Sequence, residues 1–422
     1  MSFKKITVML LWLNLAGTAL AEKPSIPLMS VNLFPGRDAG ARIAACIAAL
    51  PPTGGTCDAR MFGGDQSISQ NVFQGITKAG VLLLGNAVFN TSVTQTPPSN
   101  WEIAGPRSSG TSPGIEIPRA GAVFKWTGGS GGVVLDLFGV QNTKVQGIAV
   151  DCNDDTSFGK SVTGVRISSV NTPSTQRVSL EDWHIGNGCR TAISIGQSAA
   201  QINYQSDALA IRNGFCLKVG DCIYSDSQNA LQGSIIANVY GFIYYGSMFN
   251  FNRCGFVKVM TSHASTNQPR ASFVRVNICD VSLDSVQVEG QGSGISLVGP
   301  GQFFSITNST INLPSSSADG WHITSINNRY SEDFILHNDD YLVSIHDVFY
   351  DHTTDWVIQG INTFVSTITG YGLTLPNKFY WAMGNPPDGT LIYCSDCTAT
   401  NPCAAGGQGA VAKRIHGGWV CN

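Results

Sequence analysis

Charge is what this chain has least of: Asp, Glu, Lys and Arg make up 13% of its 422 residues, about half the usual share. A helical protein carries its solubility on those four residues, so a mainly helical domain is excluded. No Lys/Arg cluster accompanies the net charge of −3, and a nucleic-acid partner is excluded with it, because such binding rests on neutralising phosphates. After the first 21 residues no apolar run approaches the length of a membrane span, which leaves no anchor once that leader is cut. What the chain has in place of charge is glycine, 47 of them, with abundant Ser, Thr and Asn. These residues suit tight turns and exposed strand faces and point to β structure.

MSFKK is cationic, ITVMLLWLNLAG is a short apolar stretch, and Ala19-Leu20-Ala21 has small residues flanking a cleavage point. Residues 1–21 are therefore expected to be a signal peptide. The product is expected to be secreted, periplasmic or on the cell surface. In that compartment the 12 cysteines would stand as disulfides.

One octad recurs: apolar, any, apolar, any, small or amide, apolar, any, apolar. It reads VSLEDWHI from Val178, VSLDSVQV from Val281, FSITNSTI from Phe304 and VSIHDVFY from Val343. With weaker copies included, its fifth position holds Gly147, Asp182, Asn213, Asn238, Ser285, Asn308 and Asp347. The widest interval, Asn238 to Ser285, is twice its shorter neighbours and reads as two turns. Coils of a little over twenty residues, some with inserted loops, fit a parallel β-helix. Asn, Asp, Gly and Ser at the fifth position tolerate the left-handed backbone of a bend between two strands. Stacked about 4.8 Å apart, they would form a ladder.

A second strand follows each octad after a variable loop: GVRIS at Gly164, AISIG at Ala192, CIYSD at Cys222, GISLV at Gly294 and WHITS at Trp321. Alternation turns Val165, Ile167, Ile193, Ile195, Ile223, Ile295 and Leu297 inward and Arg166, Ser194, Tyr224, Ser296, His322 and Thr324 outward. Between Arg253 and Cys279 the register fades, although SFVRVN at Ser272 fits another copy with Arg275 and Asn277 outward.

With these repeats, and with FPGRDAGARIAACIAALPPTGGTCDAR near the start, the chain resembles the pectate-lyase superfamily and its tailspike-like relatives over residues 30 to 375. The resemblance implies an all-β fold: a right-handed parallel β-helix over residues 22–377, opened by a capping helix at Ala39 to Leu50. Cys46 and Cys57 straddle the P-x-G-G turn and are expected to pair. The segments that carry catalysis in the polygalacturonases and pectate lyases of this fold are absent, so no family active site transfers. Residues 378–422 break the period and form a small module. There Cys394, Cys397, Cys403 and Cys421 are expected as disulfides, since Cys403 and Cys421 are not spaced as the second half of a zinc ribbon.

The resemblance also implies a ligand cleft along the outward strand face. Asp221, Asp226, Arg275 and His322 are the candidate catalytic residues there, because paired carboxylates, or an Arg beside a cation, can cleave a glycan. Arg166, Tyr224, Tyr244 and Tyr245 are the candidate substrate-binding residues, the tyrosines for stacking on sugar rings. Turn and core roles compete with each of these assignments. Asp151-Cys-Asn-Asp-Asp155 begins like a calcium loop, but Thr156 stands where glycine is needed. Calcium near Asp151, Asp154 and Asp155 competes with a solvated turn. The expected function is a secreted hydrolase or lyase of a polysaccharide or oligosaccharide, with a non-catalytic glycan-binding surface or tailspike-like protein as its rival. The chain would be a monomer or a homotrimer, with no other cofactor.

Overall fold

The computed structural model describes residues 27–106, 121–154, 157–169, 174–196, 205–243, 245–297 and 388–422 apart from 401, with short stretches between 303 and 385. The chain opens with a strand Leu28–Ser30 and a helix Ala39–Ala49. Asp38 caps the helix by accepting a hydrogen bond from the Ala41 amide at 2.7 Å, which satisfies one of the free N–H groups of the first turn. Pro51 and Pro52 end it. Ile43, Cys46 and Ile47 are buried, and a Cys46–Cys57 disulfide ties the helix to the strand Thr56–Ala59.

Beyond it lies a 24-stranded sheet with parallel pairings throughout. Its strands fall into three series that the chain visits in rotation. Lys144–Gln146, Ile148–Asp151 and Thr163–Ser168 make one such pass, one strand in each series. The next pass is Ser179–Gly186, which covers the first two series, and Thr191–Ile195. Each pass pairs in register with the one before, which makes the sheet solenoid-like.

The core follows from the alternation. In the first series Val145, Leu180, Ile211, Ile236, Val259 and Leu283 stand in successive register, all but fully buried. In the third, Leu135, Val165, Ile193, Ile223, Phe249 and Val274 do the same. Burying a branched or aromatic side chain at each rung contributes about 1.5–3 kcal/mol per residue.

The first two series meet at the octad's fifth position. Gly147, Asp182, Asn213, Asn238 and Ser285 all have positive φ, between 51° and 64°. Asn238 Nδ2 donates to Asn213 Oδ1 at 2.9 Å, and Asn213 Nδ2 donates to Asp182 Oδ1 at 3.2 Å. Thr261, with φ 43°, is the rung between Asn238 and Ser285. Asn308 and Asp347 lie outside the described residues.

Near the C-terminus a separate sheet joins Asn377–Lys378, Leu391–Cys394, Ala410–Ile415 and Gly418–Cys421. Two disulfides, Cys394–Cys397 and Cys403–Cys421, hold it. Three more, Cys152–Cys189, Cys216–Cys222 and Cys254–Cys279, cross the large sheet. Six disulfides indicate a non-reducing environment. Among the described residues no helix is long and apolar enough to cross a membrane.

Candidate functional site

The outward positions of the third series form one row: Asp136, Arg166, Ser194, Tyr224, Asn250 and Arg275 occupy the same rung position on successive strands. Ser296 and Thr324 continue it in backbone register. At one end Arg166 makes a fork-shaped pair with Asp136, Nε to Oδ1 at 3.0 Å and Nη2 to Oδ2 at 2.6 Å. Two parallel charge-assisted bonds fix both side chains. At the other end Arg275 is exposed and, among the described residues, has no hydrogen-bond partner.

Tyr224 sits in the middle of the row, half-buried, with Asp221 and Asp226 on the same strand. Each carboxylate is anchored to the following pass of the chain. Asp221 accepts the Ser247 amide at 2.8 Å and the Asn250 side chain at 3.3 Å. Burial pushes its carboxyl above the ordinary value, against the lowering effect of those two donors and of Arg190 and Arg275. The Asn252 amide donates to Asp226 at 2.8 Å, Arg253 lies 3.9 Å away, and Asn277 in turn donates to Asn252 at 3.1 Å. Burial and the neighbouring Asp226 push the Tyr224 phenol up to about 12. At neutral pH it is therefore a hydrogen-bond donor, not a base.

Five positions separate the two carboxylates along an extended strand, about 16 Å between their Cα atoms at 3.3 Å per residue. Glycosidase pairs stand about 5–9.5 Å apart, so Asp221 and Asp226 are too widely set for an acid and base pair unless both side chains lean far inward along the strand. Their hydrogen bonds run instead to the next rung.

Tyr245 stands at the bend between second and third series, 52% exposed. The Arg190 guanidinium lies 5.7 Å from its ring centroid, and Phe158 lies 6.5 Å away. A broad aromatic face beside a cation suits a hydroxylated ring. Tyr240 belongs elsewhere: it stacks on Phe215 at 4.9 Å within a ladder that includes His184 and His263 on the second series. Its ring face is thereby used internally.

The acidic loop also has its groups engaged. Asp151 Oδ1 accepts the Asn153 amide at 2.8 Å, Asp154 Oδ2 accepts the Lys160 amide at 2.7 Å, and Lys160 Nζ donates to the Asn153 carbonyl. Lys125 and Lys160 line the same pocket as the two aspartates. Calcium takes six to eight oxygens in a negative surround. Here one carbonyl is bound to an ammonium and two lysines line the pocket beside Asp151 and Asp154, while Asp155, the third carboxylate of the loop, lies outside the described residues. Near the C-terminus Cys394, Asp396 and Cys397 bring potential metal-binding atoms within 4.8 Å of one another. Both thiols are in the disulfide they form together, which leaves no thiolate for a metal.

Asn250, Asn252, Arg190 and Arg253 are site neighbours that strand alternation alone did not single out, whereas Asn277 is one that it turned outward. The signal for Asn250 and Asn252 is the FNFN repeat before Arg253, whose amides alternate with buried Phe249 and Phe251. His322, Tyr244 and Asp155 lie outside the described residues.

No family model matches the chain, and no curated protein matches it. Among solved structures it is similar to Geobacillus virus E2 - ORF18, at 10% sequence identity and a TM-score of 0.41, over 92% of this chain and 68% of that one.

Proposed function

We propose that this chain is an exported right-handed parallel β-helix protein of the pectin-lyase type that binds an acidic polysaccharide lengthwise along its third strand series. The observation that carries this reading is the in-register row from Arg166 through Tyr224 and Asn250 to Arg275. Such a row repeats a polar group about every 4.8 Å, a spacing suited to a chain of similar sugar units. Arg275 offers an open guanidinium for a carboxylate, Tyr224 a neutral hydroxyl that can accept while its proton is directed at Asp226, and Asn250, Asn252 and Asn277 amide groups for hydroxyls. Tyr245 adds an aromatic face at the edge.

Binding is favoured over cleavage because Asp221 and Asp226 are wide apart and each is held by donors of the next rung. Residues 378–422, with their own sheet and two disulfides, read as a terminal module carried by the rod.

A panel of neutral and acidic polysaccharides tests the proposal, scored for binding, for new reducing ends and for unsaturated products. The expected result is binding to polyuronates without product, weakened about 10-fold or more by Arg275→Ala, the scale for losing a charge-assisted hydrogen bond. Binding to no acidic glycan, or unchanged binding by Arg275→Ala, would overturn it. Product released by the wild type and lost in Asp221→Asn would make the row a catalytic cleft instead.

A further inference from the structure

Leu391–Cys394, Ala410–Ile415 and Gly418–Cys421 are the antiparallel strands of the small C-terminal sheet. Ile392, Cys394, Ala410, Ala412, Trp419 and Cys421 alternate onto one face and, with Met383, are buried as its core. Alternation leaves Leu391, Tyr393, Val411, Lys413, Ile415 and Val420 on the other. A solvated sheet face is normally polar. This one is not: Leu391, Tyr393, Val411 and Ile415 are each between 38% and 42% exposed. The disulfides Cys394–Cys397 and Cys403–Cys421 join cysteines buried in the core, so the face is held in shape before any partner arrives, which lowers the entropy lost on binding.

The register gathers these side chains into one patch. Tyr393 faces Val411, and Lys413 faces Leu391 on one side and Val420 on the other. Val411 and Ile415 stand two positions before and after Lys413, which puts the cation at the centre. Lys413 makes no hydrogen bond or ion pair among the described residues, and the three strands contain no Asp or Glu. Four side chains two-fifths exposed present roughly 300 Å² of apolar surface, within the range of patches that mark interaction sites but well short of the 800 Å² or so per partner in a stable complex. A second copy docked face to face would also press Lys413 against another Lys413 or into apolar surface, with no carboxylate on either face to neutralise it. An anionic lipid surface meets both features. Aliphatic side chains enter the boundary of headgroups and acyl chains, while the lysine lays its stem along them and keeps its ammonium among the phosphates.

We infer that this face docks the protein on a bilayer containing anionic phospholipid, as a peripheral contact and not a span, with Leu391, Val411 and Ile415 in the interface and Lys413 on lipid phosphate. It uses none of the row's residues and stands independently of glycan binding. Sedimentation of the full chain with vesicles of phosphatidylcholine alone, and of phosphatidylcholine and phosphatidylglycerol in equal parts, tests it. Half of the protein is expected on the mixed vesicles at a lipid concentration of the order of 0.1 mM, the scale for one buried acyl chain. Phosphatidylcholine alone is expected to need about 5-fold more lipid, the effect of one lysine at an anionic surface. Lys413→Gln removes the charge and is expected to lose that preference while binding phosphatidylcholine as the wild type does. Val411→Thr with Ile415→Thr keeps β-branched strand residues and is expected to weaken binding to both kinds of vesicle at least 10-fold at unchanged melting temperature. Arg275→Ala is expected to leave vesicle binding unchanged, so failure of the row and failure of this face read out separately. No sedimentation with the mixed vesicles, equal binding of the two kinds, or a preference that survives Lys413→Gln would each overturn the inference. So would a lipid-free oligomer, seen by analytical ultracentrifugation, that Val411→Thr with Ile415→Thr returns to monomer, because the face would then belong to a second copy.

Discussion

Asn213 offers the sharpest test of why the fold bends where it does. Its backbone is left-handed, at φ 53°, and its side chain both donates to Asp182 and accepts from Asn238. Those two bonds are exposed, so together they contribute about 1 kcal/mol. The left-handed backbone adds roughly 1 kcal/mol for a residue with a Cβ and no amide to bond locally. Asn213→Ala loses both contributions and is expected to destabilise by about 2 kcal/mol. Asn213→Gly loses the bonds but relieves the backbone, and is expected to cost about 1 kcal/mol. Asn213→Val adds a β-branched side chain at positive φ and is expected to cost about 3 kcal/mol. Equilibrium urea unfolding of the three variants, compared by midpoint at a common slope, measures the order. If alanine proves as stable as glycine, or valine is harmless, the corner is not set by left-handed geometry and the ladder reasoning fails.

The same logic runs in reverse at Thr261, an exposed β-branched residue at φ 43°. Thr261→Asn is expected to raise stability by about 0.5–1 kcal/mol in the same urea assay, since asparagine tolerates that backbone. His184 is buried, and its pKa is pushed down by burial to about 4. The folded state then holds the neutral ring while the unfolded chain protonates near 6.5, so stability falls as pH drops from about 6.5 toward 4, by about 3 kcal/mol in all. His184→Phe, beside Phe215, is expected to remove most of that slope in unfolding curves taken across the window. Replacing Cys152 and Cys189 together by serine opens a link spanning 37 residues, expected to cost about 4 kcal/mol on the chain-entropy account, measured by urea midpoint against the oxidised wild type.

The bend was legible because its chemistry is local. A residue that must adopt positive φ is drawn from a short list, so Gly147, Asp182, Asn213, Asn238 and Ser285 announce themselves by spacing. Thr261 is off that list, and its rung shows only as a doubled interval. The register fades after Arg253 because Ser247–Met260 runs through two series and His263–Asp284 through all three without a break, which leaves no turn residue to mark where one strand ends. Arg275 nonetheless falls beside Asn250, as alternation from Ser272 implies. Which cysteines meet across the sheet was not legible. Cys254 and Cys279 touch only because successive passes stack, and that contact depends on the lengths of the inserted loops. The candidate site was half legible: alternation turns Arg166 and Tyr224 outward, but nothing in the sequence says that Asp221 and Asp226 spend their hydrogen bonds on Ser247, Asn250 and Asn252.

The central claim is that a glycan lies along the row, and chain length is the variable that tests it most directly. From Asp136 to Arg275 the row takes five steps between strands, about 24 Å at 4.8 Å each. Calorimetric titration with uronate oligomers of increasing length is expected to show affinity climbing until the oligomer covers that span and then levelling off, with Arg275→Ala lowering the plateau. Affinity that is already complete with a dimer, or that ignores Arg275 at every length, would contradict a lengthwise site.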